Sequence, residues 1–505
     1  MSSMSSPTEK HKPGASSALS RLLKRGALIF GVAAFTLLAW RVYDSEQGPA
    51  LQPWHLRVPH ELSREQIDRA DWAAWLQAEN RLFAEVKRDV TDTLDPAQVP
   101  PFNRYRVDSR VYPPRFATDW NRSYLLRPSG TPRGVVVLLH GLTDSPYSLR
   151  HIAKRYVAHG YLAVGLRLPA HGTVPAALTD AHWQDWLAAT RLALRTARAE
   201  VPAPAPLHLV GYSNGGALAV KYALDALGDP QLPRAQRLVL ISPMIGVAPS
   251  ARFAGLAAWP AVFPAFSKAA WLNLRPEYNP FKYNSFPVNG ARQSWLLTDA
   301  VQSQLQALAG DPRLQQLPPV LGFQSLTDAT VSTQAVVTGL FARLPANGSE
   351  LVIFDLNRTS DFDGLLDPSS LTSLTGLLPA LPGNYATQVL SNEGTGTSQL
   401  EEISRAAQSL ESTRRLLDLN YPAGMFSLSH VALPFPVDDA LYGTQPSARE
   451  DFGVHLGTVA ARGERGVLVV PMDELMRLSA NPFYPYLIQR IEALIDQTTV
   501  SSLIQ

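Results

Sequence analysis

The chain has 505 residues, enough for one large domain with insertions or for two domains. Hydrophobic residues make up 46% and charged residues 17%, which excludes a disordered chain, and a net charge of +2 supplies no basic field for nucleic acid. No cysteine is present, so disulfides, a thiol nucleophile, Cys-ligated zinc and thioether lipid anchors are excluded as well.

The N-terminal 25 residues carry Lys10, Lys12, Arg21, Lys24 and Arg25 against Glu9 alone. An uncharged run from Gly26 to Trp40 follows, closed by Arg41, Val42 and Tyr43. A membrane span needs about 17–25 apolar residues, and a signal-peptide core about 7–15, so the run stands between the two. Leu38-Ala39-Trp40-Arg41 is a poor cleavage site. The pattern therefore favours an uncleaved signal anchor over residues 26–42, a basic cytoplasmic tail over 1–25, and an exported remainder. A cleaved signal peptide and a buried N-terminal helix are the competing readings.

Residues 43–104 read as a linker and a helical extension. Asp44–Leu62 contains Gly48, Pro49, Pro53 and Pro59. Ser63-Arg64-Glu65-Gln66 then has capping-box spacing. Trp72, Trp75, Leu76, Leu82, Phe83, Val86 and Val90 follow at helical intervals, predicting a helix packed on the main domain or near a membrane surface.

From residue 105 to 505 short apolar strands alternate with helical stretches. Strands are predicted over Val135–His140, Leu162–Leu168, Leu207–Ser213, Arg237–Pro243, Pro319–Ser325 and Leu351–Asn357. Helices are predicted over Ser145–His159 and Gly215–Leu227, each ending before a glycine. Such alternation predicts an α/β fold, a mostly parallel sheet with helices on both faces, whose ligands sit beyond the carboxyl ends of the strands.

Two strand ends carry chemistry. Leu207 to Gly216 reads strand, Gly-x-Ser-x-Gly, helix, the pattern that projects a serine, here Ser213, from a sharp turn at a helix N-terminus. A chance Gly-x-Ser-x-Gly is common, but one that follows an apolar strand and opens an Ala-rich helix is far rarer. The other end, Val135 to Thr143, leads into His140-Gly141-Leu142. Acyl transfer needs two N–H donors aimed at an oxyanion, and the N–H groups of Leu142 and Asn214 are the candidates. His140 precedes the serine, the wrong order for a base, and reads as a structural turn residue.

The segments His140-Gly141-Leu142-Thr143-Asp144-Ser145-Pro146, Arg167-Leu168-Pro169-Ala170-His171-Gly172-Thr173 and Gly211-Tyr212-Ser213-Asn214-Gly215-Gly216 resemble the monoglyceride lipase and carboxylesterase branch of the α/β-hydrolases. The likeness runs over roughly Arg133 to Pro243 and returns near Asp328 and His430. Ala170 stands where that family usually has glycine. The resemblance implies the α/β-hydrolase fold, a Ser–acid–His triad, no cofactor and acyl esters as substrates. The order Ser, acid, His leaves His430 and His455 as the histidines downstream of Ser213. Asp328, in a short loop after the strand ending at Ser325, stands where the family places its acid; Glu350 and Asp355 are weaker candidates. His430 is preferred because Gly424–Ser429 reads as a strand leading into it, with Pro434 and Pro436 soon after.

A lid insertion is expected over about 245–315, rich in aromatics such as Trp259, Phe263, Phe266 and Trp271, and suited to an acyl chain. These aromatics could equally only pack the lid onto the domain. A second insertion, about 359–420, separates acid from histidine and has no assignable role. Asp361 and Asp363 read as a solvated turn rather than a cation site, and no metal or phosphate-loop motif occurs. The whole predicts a membrane-anchored serine hydrolase of lipid-like or acylglycerol esters, with catalytic residues Ser213, Asp328 and His430. The same triad could cut amide, peptide or thioester bonds, and a catalytically silent binding module at the membrane is the alternative of another class.

Overall fold

In the computed structural model the described residues are 15–246, 258–328, 330–358, 382–392, 396–422, 425, 427–458 and 479–504. Strands occur in chain order as β1 (Tyr124–Leu126), β2 (Gly134–Leu139), β3 (Tyr161–Leu166), β4 (Leu207–Tyr212), β5 (Arg237–Ile241) and β6 (Trp271–Asn273). They continue as β7 (Phe286–Pro287), β8 (Val320–Ser325), β9 (Glu350–Phe354), β10 (Ala386–Ser391), β11 (Gln399–Arg405) and β12 (Ser412–Asn420). All but β6 and β7 form one sheet in the order β1-β3-β2-β4-β5-β8-β9-β10-β11-β12. From β3 to β10 neighbours run parallel; β1, β11 and β12 are antiparallel edges.

The apolar runs explain this sheet. Every position of β2, β3 and β4 is buried, as expected for strands covered on both faces. Alternate residues of β2 serve opposite layers. Val135, Val137 and Leu139 pack with Leu192, Leu218 and Leu297 from the helices Trp183–Glu200, Asn214–Gly228 and Val288–Ala307. Val136 and Leu138 pack with Ile152 and Tyr156 of the helix Arg150–Ala158 and with Leu487 and Ile491 of Tyr484–Ile504. Each fully buried Val or Leu stabilises by about 1.5–3 kcal/mol, so both layers are bound to the sheet.

Three regions depart from the sequence reading. The Pro-rich stretch before Ser63 is built into the body: Trp54 stacks on Tyr105 at 5.3 Å, both buried. Glu61 and Glu79 both bind the buried guanidinium of Arg167. The Ser63 capping box forms, but its helix, Arg64–Arg69, stops at Ala70, and Asp71 caps a second helix, Trp72–Asp89. Within 386–420 the described residues extend the sheet. They supply β10 beside β9 and the charged edge hairpin β11–β12, tied by Glu401–Arg414 and Glu402–Arg415. Residues 359–381, with Asp361 and Asp363, lie outside the described residues.

Of the expected lid, 247–257 also lie outside, while the helix Val288–Ala307 is ordinary core, burying Leu297, Val301 and Leu305. The N-terminal helix spans Ala15–Glu46, and its part Leu22–Glu46 is, among the described residues, the one helix long and apolar enough to cross a membrane by length and composition.

Candidate active site

Ser213 stands between the end of β4 and the helix Asn214–Gly228, with φ 54° and ψ −118°. A non-glycine residue held there costs on the order of 1–3 kcal/mol and persists only where its surroundings enforce it. They do: Ser213 N–H donates to the Ile241 carbonyl at 3.0 Å, and its own carbonyl accepts from Met244 N at 2.9 Å. The flanking glycines are steric necessities. A Cβ on Gly211 would lie 2.4 Å from the Gly215 carbonyl oxygen, and one on Gly215 would lie 2.1 Å from that of Leu139.

His430 reaches this elbow from 217 residues away. Its Nε2 is 3.0 Å from Ser213 Oγ, and its Nδ1 is 2.8 Å from Asp328 Oδ2. A carboxylate can only accept, so Nδ1 donates to Asp328, and the lone pair of a neutral ring then sits on Nε2, facing the serine hydroxyl. Asp328 follows β8, and its Oδ1 accepts from the N–H groups of Thr330 and Val331 at 2.8 and 2.9 Å. That leaves Oδ2 for the imidazole. The Tyr212 ring lies against that of His430, centroids 5.4 Å apart, a contact no sequence pattern signals. All three side chains are withdrawn from solvent, Ser213 being 4% exposed.

The strand expected over Gly424–Ser429 is not formed by the described residues, and His430 opens a 3-10 turn, His430–Ala432. Side chains take the carbonyls a ladder would use: Ser325 Oγ donates to Leu428 and Asn357 Nδ2 to Met425. His455 Nδ1 instead binds the Ala440 carbonyl at 2.8 Å. His140 is also engaged, accepting from Leu168 N at Nε2 and bonding the Gly141 carbonyl at Nδ1, and burial pushes it well below the usual histidine range. Asp355 pairs with Arg358, and Glu350 with Arg490.

Gly141 brings the end of β2 against the elbow: a Cβ there would be 3.1 Å from Ser213 Cβ. Leu142 follows it, and its N–H has no acceptor among the described residues. Asn214 opens its helix, where a first-turn N–H has no intrahelical acceptor. Two carboxyls in this neighbourhood escaped the sequence reading. Asp144 is fully buried, and burial pushes it up to about 6 against the opposing influences of Lys282 and His430. Asp439, in the loop after His430, accepts from Tyr147 Oη at 2.9 Å, Arg150 Nη1 at 2.7 Å and His151 Nε2 at 2.9 Å. It bolts the histidine loop to the helix Arg150–Ala158.

A mostly parallel sheet bearing a serine on a strained strand-to-helix elbow, with acid and histidine following in that order, defines an α/β-hydrolase. Residues 130–344 match the family model described as serine aminopeptidase, S33. Solved structures similar to this chain include a metagenome-derived lipolytic enzyme of the LipS and LipT study, at 22% identity over 51% of this chain and 98% of the other, with a TM-score of 0.36. A soluble variant of monoglyceride lipase from Saccharomyces cerevisiae matches at 14% identity over 50% and 90%, with a TM-score of 0.37. A monoacylglycerol lipase from Paleococcus ferrophilus matches at 16% identity over 51% and 98%, with a TM-score of 0.34. No curated protein matches the sequence. Over residues 130–344 the chain is similar to that hydrolase family, and its fold is that of the α/β-hydrolases.

Proposed function

We propose that this protein is a membrane-anchored hydrolase of uncharged carboxylic esters, acting through an acyl-enzyme on Ser213. The observation that carries the reading is the hydrogen-bonded line Asp328–His430–Ser213, at 2.8 and 3.0 Å. Ser213 Oγ attacks the acyl carbonyl while His430 Nε2 takes its proton, and the oxyanion is held by the N–H groups of Leu142 and Asn214. The tetrahedral adduct collapses by breaking the bond to the alcohol, which leaves with the proton from Nε2. Water then repeats the cycle on the acyl-enzyme. Asp328 keeps its carboxylate and holds the ring in the tautomer that leaves Nε2 free to accept.

A fluorophosphonate should label the wild-type protein, and Ser213→Ala should abolish the labelling; undiminished labelling would remove Ser213 from the role. Among p-nitrophenyl esters from acetate to palmitate, kcat/KM should peak at a medium or longer chain. A steady fall from acetate onward would refute the lipid-ester reading. The family description specifically favours a second reading, cleavage of N-terminal amino acids, which amino-acyl anilides would test. Residues 26–42 serve as the anchor in this proposal, with the catalytic domain on the non-cytoplasmic side; the apolar helix and the basic residues before it support that orientation.

A further inference from the structure

Apolar side chains left in water are informative only when they cluster. Outside the N-terminal helix, large exposed hydrophobic residues concentrate in one short segment: Trp259 (58% exposed), Val262 (73%), Phe263 (56%), Phe266 and Leu272. Two 3-10 turns, Trp259–Val262 and Pro264–Ala270, and the start of β6 carry them. Nothing among the described residues covers them.

The segment is fastened to the place where the apolar helix ends. Arg41 donates to the carbonyls of Ala269 and Trp271. In the other direction Lys268 Nζ donates to the carbonyls of Glu46 and Gly48, at 3.2 and 2.9 Å, with the Glu46 carboxylate 3.7 Å away. Trp40 and Tyr43 are exposed on that same last part of the helix, the aromatic types that gather at the level of lipid headgroups. A span whose aromatic girdle lies at residues 40–43 therefore brings the turns at 259–270 to the same membrane surface. The segment is also joined to the candidate active site: it begins after Met244, whose N–H holds the Ser213 carbonyl, and it ends before Tyr283, whose N–H donates to the Thr143 carbonyl at 2.8 Å.

We propose that Trp259, Val262, Phe263, Phe266 and Leu272 form a membrane-seated foot that enters the lipid interface beside the exit of the N-terminal helix, tethering one rim of the active site to the bilayer. The occupant of this apolar face is lipid, because the face is continuous with a helix that is apolar enough to span and has no buried residue in its apolar window. It is amphipathic and short, a patch that lies in the interface rather than crossing it. The proposal rests on the membrane-anchored reading above and extends it from a tether to a fixed orientation.

The test uses the full chain in vesicles of phosphatidylcholine and phosphatidylglycerol. Because the chain has no cysteine, Val262→Cys, Phe263→Cys, Phe35→Cys and Leu416→Cys each accept one nitroxide label. Accessibility of each label to oxygen, which partitions into lipid, and to a water-soluble nickel chelate, gives its depth. Labels at 262 and 263 should favour oxygen and lie about 5–10 Å below the phosphates. The label at 416, on the edge strand β12, should favour the nickel chelate. High nickel accessibility at 262 and 263 would overturn the proposal, and so would low accessibility to both reagents, the mark of a protein cover such as a second copy. The label at 35 reports separately on the span. If it is in lipid and 262 and 263 are in water, the anchor stands and the foot falls. If 35 is in water while 262 and 263 are in lipid, the foot stands and the transmembrane reading falls. No label depends on hydrolysis.

Discussion

Two aspartate–histidine pairs lie in this molecule at nearly the same distance. His430 Nδ1 is 2.8 Å from Asp328, and His151 Nε2 is 2.9 Å from Asp439. Their surroundings differ sharply. Asp439 faces the guanidinium of Arg150, both side chains wholly buried, and accepts further bonds from Tyr147 Oη and the N–H groups of Leu441 and Tyr442. Burial works to raise this carboxyl, yet Arg150 and His151 hold it well below the usual carboxylate range. His151 in turn is lowered, by burial first and by Arg150 next. Asp328 is held by backbone N–H groups and Gln324 instead of a cation, and its histidine presents the other nitrogen to a serine hydroxyl. An arginine on the carboxylate makes a clamp, whereas in the proposed mechanism a hydroxyl on the far side of the ring makes a proton path.

The largest effect that would break this comparison is on turnover. His430→Ala should lower ester hydrolysis nearly as far as Ser213→Ala, by about 10⁴–10⁶-fold, because such groups act as a unit. His151→Ala should leave kcat within a few-fold of wild type. Equal losses from the two histidine variants would erase the distinction drawn here.

Asp439→Asn and Asp328→Asn separate the two roles from the other side. The first leaves the buried Arg150 only its longer contact to Glu450, at 3.2 Å, and should cost about 3–5 kcal/mol of stability, read as a large fall in thermal midpoint in detergent micelles. The second should cost about 10⁴ in kcat, since the amide no longer enforces the useful tautomer, while its midpoint falls much less.

Two buried histidines with no hydrogen bond to a carboxylate sharpen the picture through pH. Burial pushes His171 down to about 4 and His208 down to about 3. With an unfolded value of 6.5, the unfolded chain binds more protons between pH 6.5 and the folded values, so stability falls as pH falls through that window. For His171 the full effect is about 3 kcal/mol, reached at about pH 4. The thermal midpoint should therefore drop between pH 7 and pH 5, and His171→Gln should drop less over the same interval. An unchanged pH dependence in the variant would contradict the buried neutral state.

The smallest expected effect belongs to the other downstream histidine. His455 bonds the Ala440 carbonyl in the loop that Asp439 fastens, so His455→Ala should retain most ester hydrolysis in a p-nitrophenyl assay. If it proved the dead variant, the base would have to be reassigned while Ser213 kept its place.

Legibility followed the range of the interactions. The strands β2 to β5 and β8 were readable because their apolar runs are local, and their observed limits fall within two residues of those expected. The capping box at Ser63 was equally local. The edge strands β11 and β12 were not readable, because Glu401, Glu402, Arg414 and Arg415 form pairs across the hairpin and break the apolar pattern a strand otherwise shows. The Pro-rich stretch around Trp54 misled for a related reason, since its order comes from Tyr105 and from Glu61 meeting Arg167.

By itself the sequence determined the elbow. Gly211, Ser213 and Gly215 are close in the chain, and the sterics of one turn require those residue types wherever the strand and helix lie. It also restricted the downstream histidines to two, through chain order alone. Only the tertiary structure decided which histidine meets Ser213, which aspartate is clamped by Arg150, and how the apolar turns at 259–270 come beside the N-terminal helix. Those contacts join residues more than 200 positions apart. No local propensity encodes such pairings; they follow from the order in which the strands assemble and from the loops those strands hold in place.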